Sequence, residues 1–371
     1  MKKLLFIFGT RPEAIKMAPA VIEFKKYPEI FDVKVCVTAQ HREMLDQVLE
    51  FFEIKPDYDL NLMQKNQTLF DVTALAIKNL EPVLKDFEPH YVFVQGDTTT
   101  AFIGGLAGFY LKTKVVHLEA GLRSFDKYQP FPEEANRKML THIADIHFPP
   151  TAQAHQNLLN EGIKEGIFTV GNTVIDALLL GLDIIKKNGE EKYEKYFDFI
   201  DFSKRIILVT GHRRENFGEP FENICNSIKQ IASEYKDVVF VYPMHLNPNV
   251  RKPISEILEG LTNVHLIEPL DYPYLIWLMS KSYLVLTDSG GIQEEAPALG
   301  KPVLVMREVT ERQEGVESGT AILVGTDKNK IINTCKLLLD NKQAFDKMAK
   351  AVNPYGDGTT SKQMVEVLKK L

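Results

Sequence analysis

The chain has only three cysteines among its 371 residues, Cys36, Cys225 and Cys335. They are scattered, odd in number and without a Cys-x-x-Cys pair, which argues against a disulfide framework and a thiol redox centre and fits a reducing cytoplasm. Basic charge is not in excess: 44 Lys and Arg face 50 Asp and Glu, a formal net charge of -6. That balance argues against a nucleic-acid groove or an anionic membrane surface as the main partner, although a local basic cluster can still hold a phosphate. Long apolar runs are missing too, since Phe102 to Leu111 is broken by three glycines and followed by Lys112. Met1-Lys2-Lys3 followed by Leu4 to Phe8 imitates a secretory leader, but five apolar residues before Gly9 are too few for export and right for a first buried strand. The turn after that strand is not Gly-x-Gly-x-x-Gly, and low-complexity tracts and short repeats are absent. His142 and His147, five apart, fall on different faces of a helix and make a poor zinc pair.

What the chain does have is alternation of short apolar runs with helical patterns, the arithmetic of βαβ units. The first half predicts strands at Leu4–Phe8, Val33–Thr38, Tyr91–Gln95, Lys114–Leu118, Asp145–Phe148 and Ile167–Val170. The second predicts Arg205–Thr210, Val238–Tyr242, Val264–Ile267, Tyr283–Thr287, Pro302–Met306 and Ala321–Val324. Length and 44% apolar content allow two or three cores at about 150 residues per domain. The expected fold is α/β: two facing Rossmann-like domains, residues 1–170 and 171–356, with a helix at 357–371 crossing back to the first. Open α/β sheets bind ligands beyond the carboxyl ends of their strands, so an interdomain active-site cleft lined from both halves is expected.

Six predicted strand ends carry polar or small residues: Gly9-Thr10-Arg11, Gly96-Asp97, Glu119-Ala120-Gly121, Gly211-His212-Arg213, Pro243-Met244-His245 and Asp288-Ser289-Gly290-Gly291. At the last, a strand runs into two glycines that open a helix, so unpaired N–H groups and the positive end of the helix dipole suit a diphosphate. Glu295, one turn on, is placed to accept from ribose hydroxyls; a tight turn with dipole-complementing acids is the plainer alternative. Arg11 and Lys16 add two cations at the first strand end. Three carboxylates follow in the first half, Asp97, Glu119 and Glu133, and each has a structural alternative: Asp97 as a helix cap, Glu119 as partner of Arg123, Glu133 as partner of Arg137. His212 is a candidate phosphate donor or acid, against an ordinary surface role. Asp57-Tyr58-Asp59 matches a three-residue metal pattern of low specificity and reads better as loop acids.

Gly9-Thr10-Arg11-Pro12-Glu13-Ala14-Ile15-Lys16-Met17-Ala18-Pro19, Gln95-Gly96-Asp97-Thr98, Glu119-Ala120-Gly121-Leu122-Arg123, Pro132-Glu133-Glu134-Ala135-Asn136-Arg137, Gly211-His212-Arg213-Arg214-Glu215-Asn216 and Asp288 to Glu295 closely resemble the non-hydrolysing UDP-N-acetylglucosamine 2-epimerases. The resemblance covers nearly the whole chain in order. It implies the two-domain GT-B fold and interconversion of UDP-N-acetylglucosamine and UDP-N-acetylmannosamine without metal or nicotinamide, through elimination of UDP to 2-acetamidoglucal and its re-addition. It also implies acid/base roles for Asp97, Glu119 and Glu133, with His212 serving in chemistry or nucleotide binding. Arg11, Lys16, Arg137, Ser289, Gly290, Gly291, Glu295 and Arg312 are the implied substrate contacts. A homodimer is implied as well, with a second substrate molecule held near Gln40, Arg213 and His245. Glu43 and Asn66 stand where strongly regulated members are expected to carry Gln and Arg, which implies weak cooperativity. A hydrolysing epimerase and a GT-B glycosyltransferase share parts of the pattern, and a sugar-nucleotide sensor shares the nucleotide grip without a need for converging acids.

Overall fold

A computed structural model of the protein describes residues 1–39, 42–62, 67–213 and 216–371. The first sheet holds β1 (Lys2–Phe8), β2 (Phe31–Val37), β3 (Tyr58–Asp59), β4 (Tyr91–Gln95), β5 (Lys114–Leu118) and β6 (Ile146–Phe148). The second holds β7 (Arg205–Thr210), β8 (Val238–Pro243), β9 (Val264–Ile267), β10 (Leu284–Thr287), β11 (Val303–Val305) and β12 (Ala321–Leu323). All ten pairings are parallel. Helices on both faces explain why the central strands are continuous apolar runs: Leu4, Leu5, Phe6, Ile7 and Phe8 are all 0% exposed. The strand orders are β3-β2-β1-β4-β5-β6 and β12-β11-β10-β7-β8-β9. Counted within each sheet, both are the Rossmann order, and the chain reverses direction across the sheet between β1 and β4 and between β7 and β10. Those switch points decide which loops diverge and leave room for a ligand.

One predicted strand is replaced. Ile167–Val170 forms an isolated bridge at Ile167 to His147, with further backbone bonds from Phe168 to His147 and from Val170 to Pro149, and does not extend into a strand ladder. The sixth strand is instead β3, two residues long and paired with Cys36 and Val37 at the sheet edge, too short and polar for an apolar-run criterion to find. It falls within Asp57-Tyr58-Asp59, whose acids have structural partners: Asp57 accepts the Val35 N–H at 2.8 Å and Asp59 pairs with Arg42 at 2.7 Å.

The chain divides into two compact units, Met1–Leu180 with Tyr355–Leu371, and Gly181–Pro354. The first unit therefore extends past the expected division at residue 171, and local bonding explains why. The Asn172 N–H donates to the Tyr355 carbonyl at 2.7 Å, and Asp176, buried in helix Thr173–Asn188, accepts the Ser361 N–H at 2.7 Å. These bonds tie the start of that helix to the terminal helix Thr360–Lys370, and Lys2 adds a bond to the Leu368 carbonyl at 2.6 Å. Among the described residues, no helix is long and apolar enough to cross a membrane.

Candidate active site

In the first unit the switch point lies between Gly9-Thr10 and Gly96-Asp97. Thr10 caps helix Arg11–Lys25, placing Arg11 in its first turn and turning Lys16 toward β5. Lys16 Nζ grips both oxygens of Glu119, at 2.6 and 2.7 Å. The same carboxylate accepts from Gln95 Nε2 and, at 3.1 Å, from Asn172 Nδ2. Glu119 has φ +61°, a left-handed conformation that a residue with a Cβ adopts at a cost of roughly 1–3 kcal/mol. Its surroundings hold it there with 7% of the side chain exposed.

Asp97 follows β4 through Gly96, whose φ is +69°. Its Oδ2 accepts from Arg137 Nε at 2.9 Å and from the adjacent guanidinium nitrogen, while Arg137 Nη1 reaches Glu134 at 3.0 Å. Burial pulls the guanidinium pKa down, but Asp97 and Glu134 outweigh it and hold it above the usual value. Asn136 Nδ2 also donates to the Asp97 carbonyl at 2.9 Å, clamping helix Glu133–Ile143 to the β4 loop. That helix brings Glu133 to the same end of the sheet. Its Oε2 is buried without a hydrogen-bond partner among the described residues, a condition native proteins seldom leave a carboxylate in. Beneath Asp97, His117 Nε2 lies 2.7 Å from the Gly96 carbonyl, which only accepts, so Nε2 carries the proton. Burial pushes this imidazole down to about 3, and the ring is neutral near pH 7.

In the second unit the loops after β7 and β10 meet through Asp288. Fully buried, it accepts the backbone N–H of His212 and of Arg213, each at 2.8 Å. His212 Nδ1 lies 3.7 Å from its other oxygen, and the His212 ring stacks on His245 at 5.2 Å between centroids. Partial burial lowers the His212 pKa, against the pull of Asp288 and with that of His245 and Arg213. Ser289 is the N-cap residue of helix Gly290–Ala298, and its side chain makes no capping bond. The first N–H groups of that helix have no intrahelical acceptor. A Cβ on Gly290 would lie 3.3 Å from Arg312 Cζ and 3.3 Å from Glu311 Oε1, so this glycine lets the guanidinium pack against the helix start. Arg312 is itself fixed by Glu294 at 2.8 Å and Glu311 at 3.0 Å. Against the opposing effect of burial, Arg312 and Arg307 draw Glu311 down to about 2. Glu295 is 6% exposed and accepts the Tyr272 hydroxyl at 3.1 Å.

The structural alternatives for the three acids do not hold. Thr98, not Asp97, caps helix Thr99–Tyr110; Arg123 pairs with Glu161 at 2.6 Å, not with Glu119; Arg137 pairs with Asp97 and Glu134, not with Glu133. Two expected substrate cations, Lys16 and Arg137, are thus bound to expected acids in this structure, and Arg312 to two others. Of the expected second-site residues, Glu43 is exposed on helix Arg42–Phe51 and Arg213 and His245 lie beside His212, while Gln40 and Asn66 fall outside the described residues. Residue-by-residue reading missed Glu13, His117, Glu134, Asp288 and Tyr272 as supports. Asp288 was the most legible of these, an acid directly after an apolar strand.

Residues 23–369 match the sequence family described as UDP-N-acetylglucosamine 2-epimerase. The chain is 52% identical over 374 residues to the UDP-N-acetylglucosamine 2-epimerase of Campylobacter jejuni, with 99% of this chain and 97% of that one aligned. It is 53% identical over 370 residues to that of Escherichia coli K12, covering 99% and 98%. Among solved structures, the Neisseria meningitidis UDP-GlcNAc 2-epimerase bound to UDP-GlcNAc superposes with a TM-score of 0.91 at 52% identity, covering all of both chains. The Methanocaldococcus jannaschii enzyme in complex with UDP-GlcNAc and UDP gives 0.80 at 36% identity, again over all of both chains. With paired Rossmann-type sheets, acids at the strand ends of one unit and a glycine-opened helix in the other, the chain belongs to the UDP-N-acetylglucosamine 2-epimerase family.

Proposed function

We propose that this protein reversibly converts UDP-N-acetylglucosamine to UDP-N-acetylmannosamine without net hydrolysis. Inverting C2 requires removal of a weakly acidic proton. A carboxylate of the first unit takes it, the C2–H electron pair forms the C1=C2 double bond, and the C1–O bond breaks with its electrons leaving on the β-phosphate oxygen of UDP. The products at this stage are 2-acetamidoglucal and UDP. In the return step the UDP oxygen adds to C1 and a proton is delivered to C2 on the opposite face. Asp97, Glu119 and Glu133 are the acid/base set. The charge developing on UDP falls to Arg11 and to the second unit, where the N–H groups opening helix Gly290–Ala298 and the His212 side chain stabilise it.

One observation supports this reading most: carboxylates at the ends of neighbouring strands and on the adjoining helix, none of which serves as the local cap or short-range ion-pair partner its position suggests. Three acids at the sugar end are more than simple glycosyl transfer requires, and binding alone, as in a sensor, gives no reason for converging acid/base groups. Incubation with UDP-N-acetylglucosamine, followed by NMR of the products, tests it. UDP-N-acetylmannosamine approaching an equilibrium with substrate is expected; accumulating free N-acetylmannosamine with UDP would make the enzyme a hydrolysing epimerase.

A further inference from the structure

We propose that Glu13 is a positioning residue for this reaction, a buried clamp that locks the loop after β1 to the loop after β4; the proposal rests on the functional reading above. Its Oε2 accepts the Gly9 N–H at 3.1 Å and the Thr10 N–H at 2.8 Å, and its Oε1 accepts the Thr98 hydroxyl at 2.6 Å. Thr98 Oγ1 meanwhile accepts the Ala101 N–H at 3.0 Å as a helix cap, leaving its own proton for Glu13. A helix-capping box explains only the bond to Thr10. It explains neither the Gly9 bond, nor the tie to a different strand, nor a carboxylate that is 1% exposed. Two of the three tethered residues stand next to one in the proposed chemistry, Thr10 before Arg11 and Thr98 after Asp97, and Lys16 lies three residues beyond Glu13 on the same helix. The junction has little slack, because a Cβ on Gly9 would lie 2.0 Å from Thr38 Oγ1 and 2.9 Å from Thr100 Oγ1. Without the clamp, two N–H groups and a hydroxyl lose their acceptor and both loops relax. A displacement near 1 Å lowers turnover by about 100-fold.

The test compares Glu13→Ala, Glu13→Gln, Thr98→Val and Thr98→Ser with the unmodified protein. Turnover is expressed per calorimetrically counted UDP site, so that loss of folded protein is divided out. Glu13→Ala is expected to lower kcat per site by about 10- to 100-fold. It should also raise the ratio of released 2-acetamidoglucal to epimer, while UDP affinity changes by less than about threefold. In Glu13→Gln the amide oxygen still meets both N–H groups and the amide nitrogen meets Thr98, so activity should stay within about threefold of the parent. Thr98→Val loses both the tie and the Ala101 cap, whereas Thr98→Ser keeps the hydroxyl for both, so a fall in kcat per site in Thr98→Val that Thr98→Ser does not share decides the matter if Glu13→Ala does not fold. Unchanged kcat per site in both Glu13→Ala and Thr98→Val, or Glu13→Gln as impaired as Glu13→Ala, would overturn the clamp. Absence of epimerisation by the unmodified protein would instead overturn the functional reading.

Discussion

Lowering the pH should weaken the first unit through His117, and replacing that residue by Gln should remove a defined part of the effect. The ring is 0% exposed on β5, its Nε2 donating to the Gly96 carbonyl, and burial pushes it to about 3 from an ordinary 6.5. The unfolded chain therefore binds a proton that the folded chain refuses. Stability from this group is fully present above about pH 6.5 and is lost as pH falls toward 3. A gap of about 3.5 pH units corresponds to about 5 kcal/mol at the acid extreme and about 2 kcal/mol at pH 5. His147, paired with His117 in the β5–β6 register and pushed down to about 4, contributes a similar loss at pH 5. Glutamine at 117 can still donate to Gly96 but does not titrate. Urea unfolding at pH 7 and pH 5, followed by hydrogen exchange of the β5 peptide, should show a stability difference about 2 kcal/mol smaller in His117→Gln than in the parent. The same pH dependence in both proteins, or an NMR titration placing His117 near 6.5, would refute the reasoning.

Asp97→Asn, Glu119→Gln and Glu133→Gln should each lower turnover by about 100-fold or more with smaller changes in UDP affinity; near-normal turnover in steady-state assays would remove that residue from the chemistry. Gly290→Val places a branched side chain against Arg312 and Glu311 and beside the open N–H groups, so calorimetry should show UDP affinity reduced by about tenfold or more in a folded protein. With an exposed acid at Glu43, initial rates against substrate should give a Hill coefficient closer to one than to two; a steeply sigmoidal curve would show that Glu43 does not weaken cooperativity.

Eleven of the twelve strands were legible as apolar runs because parallel strands covered on both faces must be apolar throughout. β3 was not, since an edge strand of two residues buries too little to leave a pattern. The candidate site residues Asp97, Glu119, His212 and Ser289 stand out in the sequence because they follow apolar runs. Their connections were hidden. Pairing of Lys16 with Glu119 spans 103 residues and pairing of Arg137 with Asp97 spans 40, and no local spacing encodes either. The local alternatives failed for the same reason: Arg123 lies four residues from Glu119 in sequence, yet its guanidinium is drawn to Glu161, 38 residues on. Glu13 sits in the first turn of its helix, but its burial and its bond to Thr98 depend on β1 and β4 being neighbours at the switch point.

The most direct test of the proposed chemistry is the fate of the C2 proton when UDP-N-acetylglucosamine is incubated with the enzyme in heavy water. Removal and return of that proton by the carboxylates predicts deuterium at C2 of UDP-N-acetylmannosamine and, after reversal, of recovered UDP-N-acetylglucosamine, read by proton NMR as loss of the C2–H signal. Epimer that retains the original proton at C2 would contradict it.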